Sequence, residues 1–225
     1  NVAMTINWDT QRTTGLRNMS FGFIANKVKG WNENIYANGN NTTTSFMGAM
    51  AAGAAGLSAD ALGAENAYDY NPWRDVVGYQ SGMISTYGGY DDQFVGASEL
   101  IFNNPDTGYD EIALGGTLDQ SYGRRVTGNK YDYIFNFGAN ISDFLYLGAN
   151  LGINALEYSY TEYFREAAID PYDFEISFDD GSAVRFEQMR YNYNYTATGT
   201  GFFAKVGFIL TPVSGLRIGG AIQTP

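Results

Sequence analysis

Residues 131–155 read YDYIFNFGANISDFLYLGANLGINA. In the first half, Tyr131, Tyr133, Phe135, Phe137 and Ala139 fall on one side, and Asp132, Ile134, Asn136, Gly138 and Asn140 on the other. In the second, Leu145, Leu147, Ala149, Leu151, Ile153 and Ala155 oppose Phe144, Tyr146, Gly148, Asn150, Gly152 and Asn154. A period of two is that of a strand. Asn140, Ile141, Ser142 and Asp143 between the runs make a tight turn, so the stretch is predicted to be an antiparallel hairpin. The same alternation recurs over 1–8 (Val2, Met4, Ile6, Trp8), 19–26 (Met19, Phe21, Phe23, Ala25), 202–210 (Phe202, Ala204, Val206, Phe208, Leu210) and 216–223 (Leu216, Ile218, Ile222).

Two environments produce such alternation. A soluble sandwich turns the apolar face inward and decorates the other with charge. A membrane barrel turns it to lipid and lines its lumen with small polar groups. Here the polar side is mostly Asn, Gly and Ser, which favours the barrel. Connection lengths agree. Residues 13–15, 140–143 and 211–215 are short turns, whereas 30–118 and 157–183 are long, and outer-membrane barrels keep short turns on one rim and long loops on the other. The fold class expected is all-β transmembrane: a partial antiparallel barrel of about six strands. Some runs exceed the roughly 9–11 residues needed to cross a bilayer, so the sheet is expected to project beyond it.

Composition narrows the function. The chain of 225 residues has no Cys and no His. That removes a disulfide scaffold, a Cys/His zinc site, a Cys nucleophile and a Ser-His-Asp triad. Thirteen Lys and Arg against 24 Asp and Glu give a net charge of −11, a poor match to nucleic-acid phosphates. Charged residues make up 16%, below the roughly 25% of ordinary soluble domains. No apolar run approaches the roughly 18 residues of a transmembrane helix. No catalytic residue, metal site or cofactor is expected, and the chain does not read as an enzyme. It opens and closes inside alternating patterns, and the expectation is an internal fragment of a longer protein.

The 30–118 segment reads as an extracellular, partly helical insertion. Residues 42–62 are rich in Ala, Leu and Met behind Thr/Ser capping candidates, and residues 73–84 follow Pro72 with apolar side chains at helical spacing. Phe46, Met47, Met50, Leu57, Leu62, Trp73, Val76, Val77, Met83 and Ile84 are the ligand-binding candidates. Flexible Met and broad aromatics suit a permissive groove for apolar molecules. The same residues would equally serve to pack the helices.

The 157–183 stretch reads as a long acidic extracellular loop. It carries an expected hairpin turn at Asp179, Asp180, Gly181 and Ser182. Acidic oxygens there could suit calcium, but a solvated loop accounts for them. Tyr158, Tyr160, Tyr163, Tyr191, Tyr193 and Tyr195 fit an interfacial aromatic girdle or a carbohydrate platform. Gly199, Thr200 and Gly201 open a strand, not a helix, and so are no phosphate loop. Lys205 and Arg217 fall on the polar side.

The C-terminal stretch is more specific. TGTGFFAKVGFILTP over 198–212, followed by GLRIGGAIQTP over 215–225, resembles the FadL/TodX outer-membrane transport family, whose pattern is G-x-G-φ-x-x-K-x-G-φ-φ-φ-x-P and then L-R-[IL]-G-φ-φ-φ-x-[ST]-P. NFGANISDFLYLGANLG over 136–152 is similar to the family's preceding strand–turn–strand. The resemblance implies a fourteen-stranded barrel in the outer membrane of a Gram-negative bacterium, in contact with its lipid and lipopolysaccharide. It implies a hatch and further strands not contained in these residues. It also implies passive uptake of a hydrophobic small molecule, a long-chain fatty acid or an aromatic hydrocarbon. A non-transporting structural or accessory subunit of an outer-membrane assembly is the alternative.

Overall fold

The computed structural model describes residues 1–177 and 181–224. The chain is mostly antiparallel β-structure, 62% strand and 13% helix. In order it forms β1 (Val2–Asp9), β2 (Leu16–Asn41), α1 (Phe46–Ala54), α2 (Ala59–Gly63), α3 (Trp73–Gln80), β3 (Ile84–Thr86), β4 (Phe94–Gly96), β5 (Glu99–Asn103), β6 (Asp110–Leu114), β7 (Leu118–Ile141), β8 (Leu145–Ala168), β9 (Glu175–Ser177), β10 (Ala183–Arg185), β11 (Gln188–Val213) and β12 (Leu216–Gln223). One six-stranded sheet has the order β1-β2-β7-β8-β11-β12. Three two-stranded pairs, β3/β4, β5/β6 and β9/β10, stand apart from it. No helix among the described residues is long and apolar enough to cross a membrane.

The chain divides into two compact units. The first comprises 1–34, 125–161 and 194–225. Here the alternation translates directly into two faces. Val2, Met4, Ile6 and Trp8 pair with Ala25, Phe23, Phe21 and Met19. Phe21 and Phe23 meet Phe137 and Phe135 across the next strand, with centroids 5.4 and 5.2 Å apart. At the other end Val206 pairs with Ile222 and Leu210 with Ile218. The other face carries Gly22 beside Asn136, Gly138 beside Ser20, and Asn154 donating to Asp132 at 2.6 Å.

The turns of this unit explain its hairpins. Ser142 and Asp143 both adopt φ +57°, the left-handed pair that matches strand twist in a two-residue hairpin. Neither is glycine, so the turn is held by side chains. Asn140 Oδ1 accepts the Asp143 N–H at 3.0 Å, Asn140 Nδ2 donates to Asp143 Oδ1 at 2.7 Å, and Arg17 pairs with Asp143.

The second unit comprises 35–124 and 162–193. It contains α1–α3, the three small hairpins and the ends of four long strands. Several expected boundaries move. Residues 30–41 continue β2 as strand and were wrongly read as part of the insertion, and β8 runs on to Ala168, further into the stretch read as an acidic loop than the strand pattern suggested. Apolar alternation in both is interrupted by Glu or Asn, and backbone pairing within the sheet holds them. The helix expected over 42–62 is broken into α1 and α2 at Gly56, whose φ of +87° ends a helix readily. The helix expected over 73–84 stops at Gln80, and Ile84 begins β3. Residues 175–177 and 183–185 pair as expected, while Asp179 and Asp180 lie outside the described residues.

Candidate functional site

The second unit is organised around the start of α1. Ser45 caps the helix, its Oγ accepting the N–H of Met47 at 3.0 Å. That hydroxyl donates to Glu166 Oε2 at 2.8 Å and accepts from Ser98 Oγ at 2.8 Å. Glu166 Oε1 accepts the Phe46 N–H at 2.7 Å and Gln120 Nε2 at 2.6 Å. Glu166 and Ser98 have no solvent exposure. A buried carboxylate is tolerated here because donors surround it and the positive end of a helix faces it.

Behind this anchor lie two apolar cores. Met50, Ala51, Ala54, Leu62, Ala67, Val76, Ile84 and Phe94 form one, with Phe46, Leu57 and Met83 packed on it. Met47, Met189 and Tyr191 form the other, bordered by Phe46, Met83, Phe164 and Tyr193. The ten sequence candidates therefore separate. Met47, Met50, Leu62, Val76 and Ile84 are closed in the cores and present no surface to a ligand. Phe46, Leu57, Val77 and Met83 are half-buried, and Trp73 is 46% exposed. The packing role read alongside the groove role accounts for the five buried residues.

The half-buried and exposed aromatics are joined into one row. Trp73 stacks on Tyr193 (5.3 Å, 19°) and on Tyr191 (6.0 Å, 20°). Tyr191 meets Phe46 (5.2 Å), Phe46 stacks on Phe164 (4.9 Å, 24°), and Phe164 meets Tyr122 (6.4 Å). Tyr122 donates its hydroxyl to Glu162 at 2.8 Å. Burial pushes the Tyr191 phenol above its ordinary pKa, with smaller upward contributions from Glu162 and Tyr193 and an opposing one from Arg74.

Five of the six tyrosines expected as a girdle or platform meet other rings or a guanidinium in three separate groups. Tyr191 and Tyr193 join this row, Tyr163 lies under the Arg190 guanidinium, and in the first unit Tyr158 contacts both Trp31 and Tyr195. Among the described residues no three acidic side chains converge to hold a metal ion.

Sequence reasoning placed Glu166 in a solvated acidic loop and did not single out Gln120 or Ser98, since an isolated polar residue carries no periodic signal. No family model matches the chain, nor does any curated protein or solved structure.

Proposed function

We propose that this chain forms part of the wall of a FadL-like channel in the outer membrane of a Gram-negative bacterium, through which hydrophobic compounds are taken up passively. The observation that carries the reading is the apolar face of the first unit. Leu147, Leu151, Phe135, Phe137, Val206 and Phe208 are each more than 40% exposed, and Val2, Ile6, Trp8 and Ile222 more than 55%. Exposed apolar side chains aligned along one face mark a contact surface for lipid, protein or ligand, unlike the single scattered ones of an ordinary soluble surface.

The height of this face supports lipid as its covering. From Leu145 to Ala155 is about 33 Å at roughly 3.3 Å per residue. Tilted by about 40°, that span stands about 25 Å tall, the apolar band of an outer-membrane barrel. The small polar residues of the opposite face suit a lumen. β1 and β12 are the edges of the sheet, and in a bilayer each needs a further strand beside it, because unpaired backbone groups there are costly.

The alternative, a structural or accessory subunit without transport, gains from the closure of Met47, Met50, Leu62, Val76 and Ile84 into cores. Membrane fractionation of producing cells, paired with uptake of palmitate and naphthalene against cells lacking the protein, separates the readings. The channel requires outer-membrane location and faster uptake of at least one compound. Outer-membrane location without faster uptake leaves the accessory reading; recovery in the soluble fraction rejects both.

A further inference from the structure

A cleft of about 650 Å³ runs along α1 in the second unit. One wall is the helix face of Gly48, Ala51, Ala52 and Ala55, continued by Gly56. These positions recur at three- and four-residue steps and so share one side of the helix, and none carries more than a methyl group. Phe94 and Ile112 face them, and Tyr87 and Gln93 complete the lining beside two acids, Asp92 and Glu99. The space falls within the roughly 300–1,000 Å³ of small-molecule sites. A floor of methyl groups under two apolar side chains suits a hydrocarbon chain, which leaves water when it settles there.

The two carboxylates mark the ends of this stripe. Glu99 lies against Gly48, where any side chain would collide with its carboxylate. Its Oε2 accepts the Gly96 N–H at 2.8 Å, which orients the group before anything binds. Asp92 lies at the other end, its backbone carbonyl accepting the Gly56 N–H at 2.8 Å. Gly48 and Gly56 are eight positions apart, about 12 Å at the helical rise of roughly 1.5 Å per residue. Asp92 and Glu99 have no cationic partner among the described residues, and the lining contains no Lys or Arg. The second unit holds nineteen of the chain's 24 Asp and Glu but five of its 13 Lys and Arg. Its field therefore draws cations toward the cleft and repels anions.

Spacing decides what kind of cation fits. Acids at opposite ends of the stripe do not converge on one metal ion, and no acidic trio does so among the described residues. They match two separate positive charges joined by an apolar spacer. We propose that this cleft binds an aliphatic diammonium compound, its chain on the small-residue face of α1 and one ammonium at each of Glu99 and Asp92. The negative end of α1 adds to the attraction at the Asp92 end. The inference stands apart from the channel reading, since the cleft belongs to the second unit and its ligand is charged.

The test is equilibrium dialysis of 1,5-diaminopentane against the full-length protein in a non-ionic detergent, with 1-aminopentane as the monocationic comparison. The diamine is expected to bind about threefold to fivefold more tightly, the effect of one further partly exposed ion pair. Asp92→Asn and Glu99→Gln keep the side-chain shape and an acceptor oxygen, and each is expected to weaken the diamine by about that same factor. Ala52→Leu, at an exposed position of α1, closes the cleft and is expected to weaken the diamine about tenfold, as the chain is left in water. Should Ala52→Leu fail to fold, Ala55→Leu fills the same face. Equal affinity of the wild type for the two amines overturns the proposal, and so does unchanged diamine binding in both carboxylate variants. Undiminished diamine binding by the filled variant also overturns it, since that result marks general attraction to an acidic surface.

Discussion

The fully buried carboxylate of Glu166 on β8 accepts the first backbone N–H of α1, that of Phe46, at 2.7 Å. The same carboxylate receives Ser45 and Gln120, so one side chain satisfies three donors from two separate segments. Glu166→Ala would leave these donors without an acceptor in a site closed to water. The expected loss is on the order of 3 kcal/mol. Glu166→Gln keeps an acceptor oxygen and is expected to cost less. Denaturant unfolding followed by tryptophan fluorescence measures both; an unmoved midpoint in Glu166→Ala would show that α1 is held by its apolar face alone.

Trp73 covers Tyr191 and Tyr193 while remaining nearly half exposed. Such aromatic pairs contribute roughly 0.5–1.5 kcal/mol beyond burial. Trp73→Ala is therefore expected to destabilise the second unit by about 1–2 kcal/mol, and Trp73→Phe by less. Limited proteolysis of the 42–117 segment gives the readout. Equal cleavage rates in both variants and wild type would mean the stack carries no stability.

The two faces of β8 are expected to answer a charge oppositely. In lipid vesicles Leu147→Arg should cost about 2–4 kcal/mol if Leu147 lies near the bilayer midplane, whereas Asn150→Arg, on the small-polar side, should cost little. Folding yield in vesicles compares them. Equal tolerance of both substitutions would remove the main support for lipid contact.

Tyr191 is one of eighteen tyrosines, and its phenol is raised above the usual value. Because the folded form holds the proton more tightly, its stabilising contribution is fully present below the unfolded value of about 10 and is lost as pH rises through the raised one. Phenolate absorbance should therefore show a late-titrating component that Tyr191→Phe abolishes. A variant whose titration overlays that of the wild type would contradict the burial of this hydroxyl.

Much of the first unit was legible because each strand advertises itself. The 131–155 hairpin, its turn at Ser142 and Asp143, and the shared face of Phe135 and Phe21 follow from period two alone. The stretch GWNENIYANGNN over 30–41 was opaque for the opposite reason. Asn fills one face and Glu33 and Gly39 break up Trp31, Ile35 and Ala37 on the other, so its strand character comes from neighbours far away in sequence. Gly56 inside an Ala-rich run looked like a weak spot in one helix and proved to be the end of it. The candidate site suffered most. Met50, inside an Ala-rich run, and Trp73, behind Pro72, were both apolar candidates, and only packing shows that the first is core and the second surface. Gln120 and Glu166 are 46 positions apart and carry no hydrophobic signal; the pairing of β7 with β8 brings them together.

That strand order also bears on how such a chain can change over generations. Residues 42–117 depart from the end of β2 and return at the start of β7, and those two strands are partners in the sheet. The helical insertion is thus a detour with adjoining ends. Exchanging its roughly 75 residues for a four-residue turn would lower the loop-closure cost by about 2.6 kcal/mol and leave the strand order intact. Segments wired in this way can be lengthened, replaced or remade under selection while the sheet is inherited unchanged.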